Sequence, residues 1–345
     1  MKYSSSVFLL LFFVLAGWSC SRQSHPPAKA TYQAGGQYDT GPPVQGASSA
    51  LNKISQSIYR LNIIAFYTSY TFDRSAHITL EKLKKGNVDD YAVSHTVSDH
   101  SVLGTATVVY VDNNKVALLT CAHVVNFPDT SITYFPDTSG IIRNISIKIK
   151  QKNYAVGLNN SSLEVVATDD AHDLALLKAT ITPGEDVRVM PFPVGKSSDL
   201  DWGTFIYVMG FPKGRKMVGS GIVSKPKNNK DGFFLTNAIF NRGISGGPVF
   251  ALRGSPSHFE WVGIASSSSV SDIFYLEPNI DNTEIYSKSE PYTGELLINK
   301  KKVINYGVTF SVSMEEIIRF VRSIKPVLER QGFDTQQFFY HRKQR

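Results

Sequence analysis

The sequence predicts an all-β fold finished by a C-terminal helix. From residue 51 onward the chain breaks into many short apolar runs separated by turn-forming residues. Aromatic residues reach 12%, with 21 Phe and 16 Tyr, a composition that suits pleated, half-buried surfaces. Past residue 312 the pattern changes to a capping signal followed by an apolar stripe at helical spacing.

The chain begins with an address. Lys2 precedes residues 7–18 (VFLLLFFVLAGW), an uncharged apolar run of 12 residues, too short for a membrane span of roughly 20. Small residues follow, then Cys20. This resembles a bacterial lipoprotein signal whose cysteine is acylated after cleavage, although Gly17 stands where that box expects Leu. The other reading is an ordinary secretory signal cut near Ala16 or Ser19. Either reading exports the mature chain, with a lipid on Cys20 as its expected contact with a membrane. Residues 21–49 are rich in Pro, Gly, Ser and Gln without apolar periodicity, so they read as a flexible tether, and the folded domain is placed at 50–312.

Leu51, Ile54, Ile58 and Leu61 have near-helical spacing and suggest one short helix. Strands are then expected over 63–72, 104–111, 115–120, 142–150, 162–168, 174–178, 204–209, 217–224, 233–237, 249–252, 259–265 and 303–312, with turns such as Pro212-Lys213-Gly214 between them. Residues 267–302 form a long insertion, acidic and aromatic in its middle, of the length that is usually functional or disordered. Ser313 followed by Glu316 makes a capping box. Ile317, Ile318, Val321, Ile324 and Leu328 give the stripe of a helix that packs on the barrel, and Pro326 kinks it or starts a second turn. A basic tail closes the chain at 345.

Composition excludes several classes. The 42% hydrophobic and 19% charged residues rule out global disorder. The charge of +7 comes from 36 basic against 29 acidic residues, with no dense Lys/Arg block among aromatics, so no nucleic-acid partner is expected. Two cysteines, Cys20 and Cys121, exclude a disulfide scaffold and an all-Cys metal site. His25, His77, His95, His100, His172, His258 and His341 show no metal-ligand spacing, and neither metal nor cofactor is assigned.

Three segments carry chemistry. In Thr120-Cys121-Ala122-His123-Val124-Val125 a histidine sits at the end of an apolar strand. Asp169-Asp170-Ala171-His172-Asp173 leads into Leu174-Ala175-Leu176-Leu177, and a carboxylate buried there would need a partner. In Asn241-Arg242-Gly243-Ile244-Ser245-Gly246-Gly247-Pro248 glycines surround one serine, and such a turn can aim the amides of Gly243 and Ser245 at one point, as an oxyanion hole requires. The chain order His, Asp, Ser matches chymotrypsin among the known triads.

These segments, "TCAHVV", "HDLALLKA" and "GISGGPVF", resemble the three motifs of trypsin-like serine proteases. "IYVMGFPKG", "GSGIVS" and "LTNAIFNRGISGGPVF" are similar to the bacterial high-temperature-requirement (HtrA/Deg) branch. The resemblance covers about residues 100–265, with a weaker echo at 306–321. It implies a trypsin-like double barrel of two six-stranded antiparallel β-barrels, their boundary near 180–200, and a cleft between them. It implies Ser245 as nucleophile, His123 as base, Asp173 rather than Asp169 or Asp170 as orienter, and an oxyanion hole at Gly243 and Ser245. Ile239 falls at the pocket base and favours small or medium aliphatic side chains over Lys or Arg. Gly263, Ile264, Ala265 and the following Ser266 resemble the edge that pairs with an extended polypeptide substrate. Ile244 replaces the usual polar residue, so activation by a freed N-terminus is not expected. The 33 residues after the barrel are too few for a PDZ domain. The implied function is an envelope serine endopeptidase acting on unfolded or damaged exported proteins. The competing reading is a protease fold serving as a binding or scaffold module.

Overall fold

The computed structural model describes residues 36–339 except 44–45, 113, 136–139, 159–161, 227–231, 255–257 and most of 279–295. The leader, Cys20 and the first part of the tether lie outside the described residues.

Among the described residues the chain forms two antiparallel β units. The first contains β1 (Ile58–Thr71), β2 (Ser94–Asp112), β3 (Lys115–Thr120), β4 (Thr130–Tyr134), β5 (Ile142–Val156), β6 (Glu164–Asp169) and β7 (Leu174–Thr180). They pair in the order β4-β5-β1-β2-β3-β7-β6. These strands fit the first half of the expected double barrel: the Tyr154↔Ser162 bridge and the Leu163 N–H to Asn153 O bond bring β5 beside the segment entering β6, and β4 is a seventh strand added outside β5. The added strand, β4, is short and mostly exposed, so the apolar pattern hides it. The second unit is a closed six-stranded barrel of β8 (Phe205–Gly210), β9 (Met217–Lys225), β10 (Phe233–Thr236), β11 (Pro248–Leu252), β12 (Phe259–Pro278) and β13 (Leu296–Ser313).

Helices are few: α1 (Ala47–Ser55), α2 (Leu80–Lys85), α3 (Val88–Tyr91), α4 (Ala122–Val125), α5 (Met314–Ser323) and α6 (Lys325–Arg330). The expected helix through Leu61 ends at Ser55. Ile58, Leu61, Ile63, Ala65 and Tyr67 are the buried positions of β1, and from Leu61 onward they alternate as a pleat requires. The short, polar α2 and α3 bury no residue and carry no stripe to read. At the other end Ser313 accepts the N–H of Glu316 and caps α5 as the sequence predicts. Pro326 starts α6 as a separate turn. The C-terminal segment then docks on the first unit. Phe333 and Phe338 lie against Tyr110, and Lys115 donates to the carbonyls of Gln331 and Gly332.

The core explains why β3 and β7 are nearly all apolar. Leu118, Leu119 and Leu174 through Leu177 are fully buried, with cover on both faces. Each leucine contributes about 1.5–3 kcal/mol of transfer free energy.

Two expectations need correction. The tether reading extends too far, because Tyr38 is buried on the second barrel. Its hydroxyl donates to Glu260, its ring lies 3.8 Å from the Arg253 guanidinium, and Asp39 bonds to Leu252 and Phe205. One aromatic in a polar segment gave no periodicity to detect. The insertion is no irregular loop where it is described. Residues 270–278 and 296–304 continue β12 and β13 as a two-stranded ribbon, paired from Val270↔Ile304 out to Pro278↔Leu296. That ribbon is solvated on both faces, and Phe274, Leu276 and Ile298 lie open on it.

Candidate active site

Strand β3 delivers His123. It runs buried between β2 and β7 and passes directly into the single turn α4, where Val124 and Val125 anchor inward. Gly104 on β2 makes room: a Cβ there would lie 2.5 Å from Val124 Cγ1. The His123 side chain is left 45% exposed on the cleft.

The turn from β6 to β7 delivers Asp173. Asp169 Oδ1 accepts the N–H groups of Ala171 and His172, which tightens the turn. Asp173 itself has φ +55°, a left-handed conformation that Asp tolerates better than most residues. Its carboxylate accepts from His123 Nδ1 at 2.8 and 3.0 Å, from the His123 backbone N–H at 3.0 Å and from Ser266 Oγ at 2.5 Å. An ionised carboxylate can only accept, so Nδ1 carries the proton, and whenever the ring is neutral Nε2 keeps its lone pair. Burial pushes the Asp173 carboxyl up, but the His123 hydrogen bond and charge and the Ser266 hydroxyl outweigh it and hold the group below its ordinary value. The two other aspartates face elsewhere: Asp169 bonds His172 and Asp170 bonds Asn126.

The loop before β11 delivers Ser245. It crosses close to the backbones of both units, which explains its glycines. Gly243 has φ +103° and a Cβ on it would lie 2.3 Å from Phe211 O. A Cβ on Gly246 would lie 2.1 Å from Thr105 O, and one on Gly247 2.3 Å from Met209 O. Thr105 of β2 clamps the loop. Its Oγ1 donates to Gly243 O at 2.7 Å and accepts from Phe211 N, and its N–H donates to Ser245 O at 2.8 Å. Lys213 N–H donates to Arg242 O at 2.8 Å. The two ends of a trans peptide point opposite ways, so this bond turns the Gly243 N–H away from Lys213. Among the described residues neither the Gly243 nor the Ser245 amide donates to a protein acceptor, whereas those of Ile244, Gly246 and Gly247 all do. The Ser245 hydroxyl donates to Ser266 O at 3.0 Å and makes no hydrogen bond to His123 Nε2. Ile244 is buried in the core of the second barrel.

Ile239 is 62% exposed beside this loop, between buried Ala238 and Phe240. The expected substrate edge at Gly263, Ile264 and Ala265 is corrected. Gly263 and Ile264 pair with β11 on one side and β13 on the other, and the Ala265 N–H and C=O are taken by Gly247 and Gly246. All three are buried in the barrel wall. The edge on the nucleophile side is released only after Ala265, where β11 has ended. Thr105 was missed from sequence, and Ser266 was read only as part of the substrate edge, not as a partner of Asp173 and Ser245. Serines and threonines are common in this chain, and nothing local marks Thr105. The run of four serines at 266–269 directly after the apolar strand was the one available signal.

Residues 104–263 match a protein-family model described as "Trypsin-like peptidase domain". Among curated proteins the chain is 30% identical over 158 residues to a "Probable periplasmic serine endoprotease DegP-like" of Pseudomonas fluorescens, covering 44% of this chain and 26% of that protein. It is 32% identical over 137 residues to a protein with the same description from Hahella chejuensis, covering 38% and 24%. It is 33% identical over 125 residues to "Serine protease HTR4" of Rattus norvegicus, covering 33% and 25%. The chain therefore spans about a quarter of the length of these relatives.

Proposed function

We propose that this chain, a trypsin-like serine protease of the HtrA branch, is an endopeptidase that works through His123, Asp173 and Ser245. The observation that carries the reading is the His123–Asp173 pair, fixed in one tautomer, across a cleft from a serine loop with two amides left to donate. In the reaction Ser245 Oγ rotates from Ser266 O to His123 Nε2, gives up its proton and attacks the peptide carbonyl. His123 then protonates the leaving amine, Asp173 stabilises the imidazolium, and the Gly243 and Ser245 amides hold the oxyanion. Water releases the acyl group by the same steps in reverse.

The substrate lies as an extended strand along the edge that opens after Ala265, with main-chain pairing supplying affinity. Exposed Ile239 favours an aliphatic anchor, because no carboxylate at that position would neutralise Lys or Arg. The apolar leader and the description "periplasmic" carried by two relatives support export to a bacterial envelope. Unfolded or damaged exported polypeptides are the substrates proposed, with a lipid on Cys20 as anchor.

One observation favours a second reading, a fold that binds peptides with its site at rest: the Ser245 hydroxyl is bonded to Ser266 O. A fluorophosphonate probe tests the choice. Labelling at Ser245 that disappears in Ser245→Ala supports the enzyme. No labelling, under conditions that label a control protease, leaves the binding module. Mass spectrometry of the mature N-terminus tests the anchor, which an unmodified end beyond Cys20 would reject.

A further inference from the structure

The peptidase mechanism makes no use of Cys121, yet its sulfur lies against the catalytic pair. Cys121 is fully buried at the N-terminus of α4, two residues before His123, with its thiol donating to Ala265 O at 3.3 Å. Its Sγ, a ring nitrogen of His123 and a carboxylate oxygen of Asp173 all lie within 4.8 Å of one another. We propose that these three groups form an inhibitory site for a soft divalent cation of the zinc and cadmium class.

The donor set is the argument. One sulfur, one imidazole nitrogen and one carboxylate oxygen are the ligand types zinc takes, at bond lengths of about 2.0–2.3 Å. Tetrahedral donors at those lengths sit roughly 3.5 Å apart, so the sulfur would draw in by about 1.3 Å at most from the 4.8 Å limit, while His123 Nδ1 and the Asp173 carboxylate, now 2.8 Å apart, would open by about 0.7 Å to admit the cation. Its framework is stiff. Cys121 and His123 share one β-to-α junction, and the His123 backbone N–H already holds the Asp173 carboxylate. Ser266 Oγ donates to the same carboxylate and would orient it as an outer-shell partner. The exposed imidazole gives access from the cleft, and a water completes the fourth position. The sequence hid this arrangement because Asp173 comes from a segment 50 residues away and no ligand spacing exists along the chain.

The chemistry balances. The thiol gives its proton to solvent and binds as thiolate. Thiolate and carboxylate together neutralise the cation. The imidazole binds through Nδ1, and the proton formerly there moves to Nε2. A ring with Nε2–H cannot accept the proton of Ser245, so the bound cation switches off the base without touching the nucleophile. Binding stands on the three donors alone, whereas inhibition rests on the peptidase reading.

The test separates the two. In the full-length Ser245→Ala chain, which retains all three donors, Cd2+ should bind one per chain with a cadmium–thiolate charge-transfer band. Cys121→Ala in that background should abolish the band and weaken binding about 100-fold, while Cys20→Ser should leave both in place. In the active chain, Zn2+ should suppress peptide hydrolysis relative to each variant's own metal-free rate, chelator should restore it, and Cys121→Ala should raise the inhibitory concentration by a similar factor. A band that persists in Cys121→Ala, or Zn2+ inhibition unchanged by that substitution, overturns the proposal. A cadmium–thiolate band in a chain that no fluorophosphonate labels would retain the cation site and remove the peptidase reading. Labelling without the band would do the reverse.

Discussion

Asp173 and Ser245 both reach the cleft from a turn that leads into a buried strand, but they are held in different ways. Asp173 belongs to the first sheet, and its carboxylate is fixed by the ring and backbone of His123 and by the hydroxyl of Ser266. Ser245 belongs to the second barrel. Its backbone is clamped by Thr105, while its side chain makes one bond, to a carbonyl that a rotation about χ1 releases. On the proposed peptidase reading the acid–base half is therefore prebuilt, and the nucleophile half is gated by one rotamer. One hydrogen bond contributes about 1 kcal/mol net, so exchanging Ser266 O for His123 Nε2 is a small energetic change.

Substitutions should separate these halves. Ser245→Ala should have the largest effect, lowering kcat by roughly 10^6 while leaving Tm nearly unchanged, read by peptide hydrolysis and calorimetry. Asp173→Asn should lower kcat on the order of 10^4, because the ring loses its tautomer, and should also lower stability. That stability loss carries a pH signature. The folded carboxyl lies below its ordinary value of about 3.9, so its contribution is present above that pH and is lost as pH falls through the depressed value. The Tm gap between the native chain and Asp173→Asn should be widest near neutrality and close in acid. A gap that stays constant across pH would mean that the carboxylate contributes packing alone.

Gly243→Ala sharpens the nucleophile side. The new Cβ meets Phe211 O at 2.3 Å in a left-handed conformation, so the peptide that presents the oxyanion amide must shift. We expect kcat to fall about 10^2–10^3-fold, with the His123–Asp173 pair intact by NMR. Ser266→Ala touches both halves lightly. It removes the hydroxyl on Asp173 but keeps the carbonyl facing Ser245, and kcat should drop about tenfold with KM unchanged. An unchanged kcat would make Ser266 a packing residue. Replacing residues 271–303 by a short turn between Val270 and Ile304 should move Tm least, within about 2 °C, since the outer ribbon buries no core.

The local sequence specified a good deal. Continuous apolar runs marked β3 and β7 within two residues, the Ser313 box marked the start of α5, and the three motifs marked which histidine, aspartate and serine to watch. Periodicity worked where burial set it. It failed at β4, at the polar helices α2 and α3, and at Tyr38, where an exposed strand, two solvated turns and a single anchored ring leave no repeat. It also misplaced the substrate edge by one step, because Gly263 through Ala265 read like an edge strand and only the pairing of β11 and β13 shows both sides taken. Residue types and their order along the chain were thus settled by the sequence, since each strand's pattern follows from which face it buries. Which donors meet was decided by the fold: Asp173 with His123, Ser266 with both Asp173 and Ser245, Cys121 beside His123 and Asp173. The hydrogen bonds among Asp173, His123, Ser266 and Ser245 join residues 21 to 93 positions apart, and only the packing of sheet against barrel sets a distance between them.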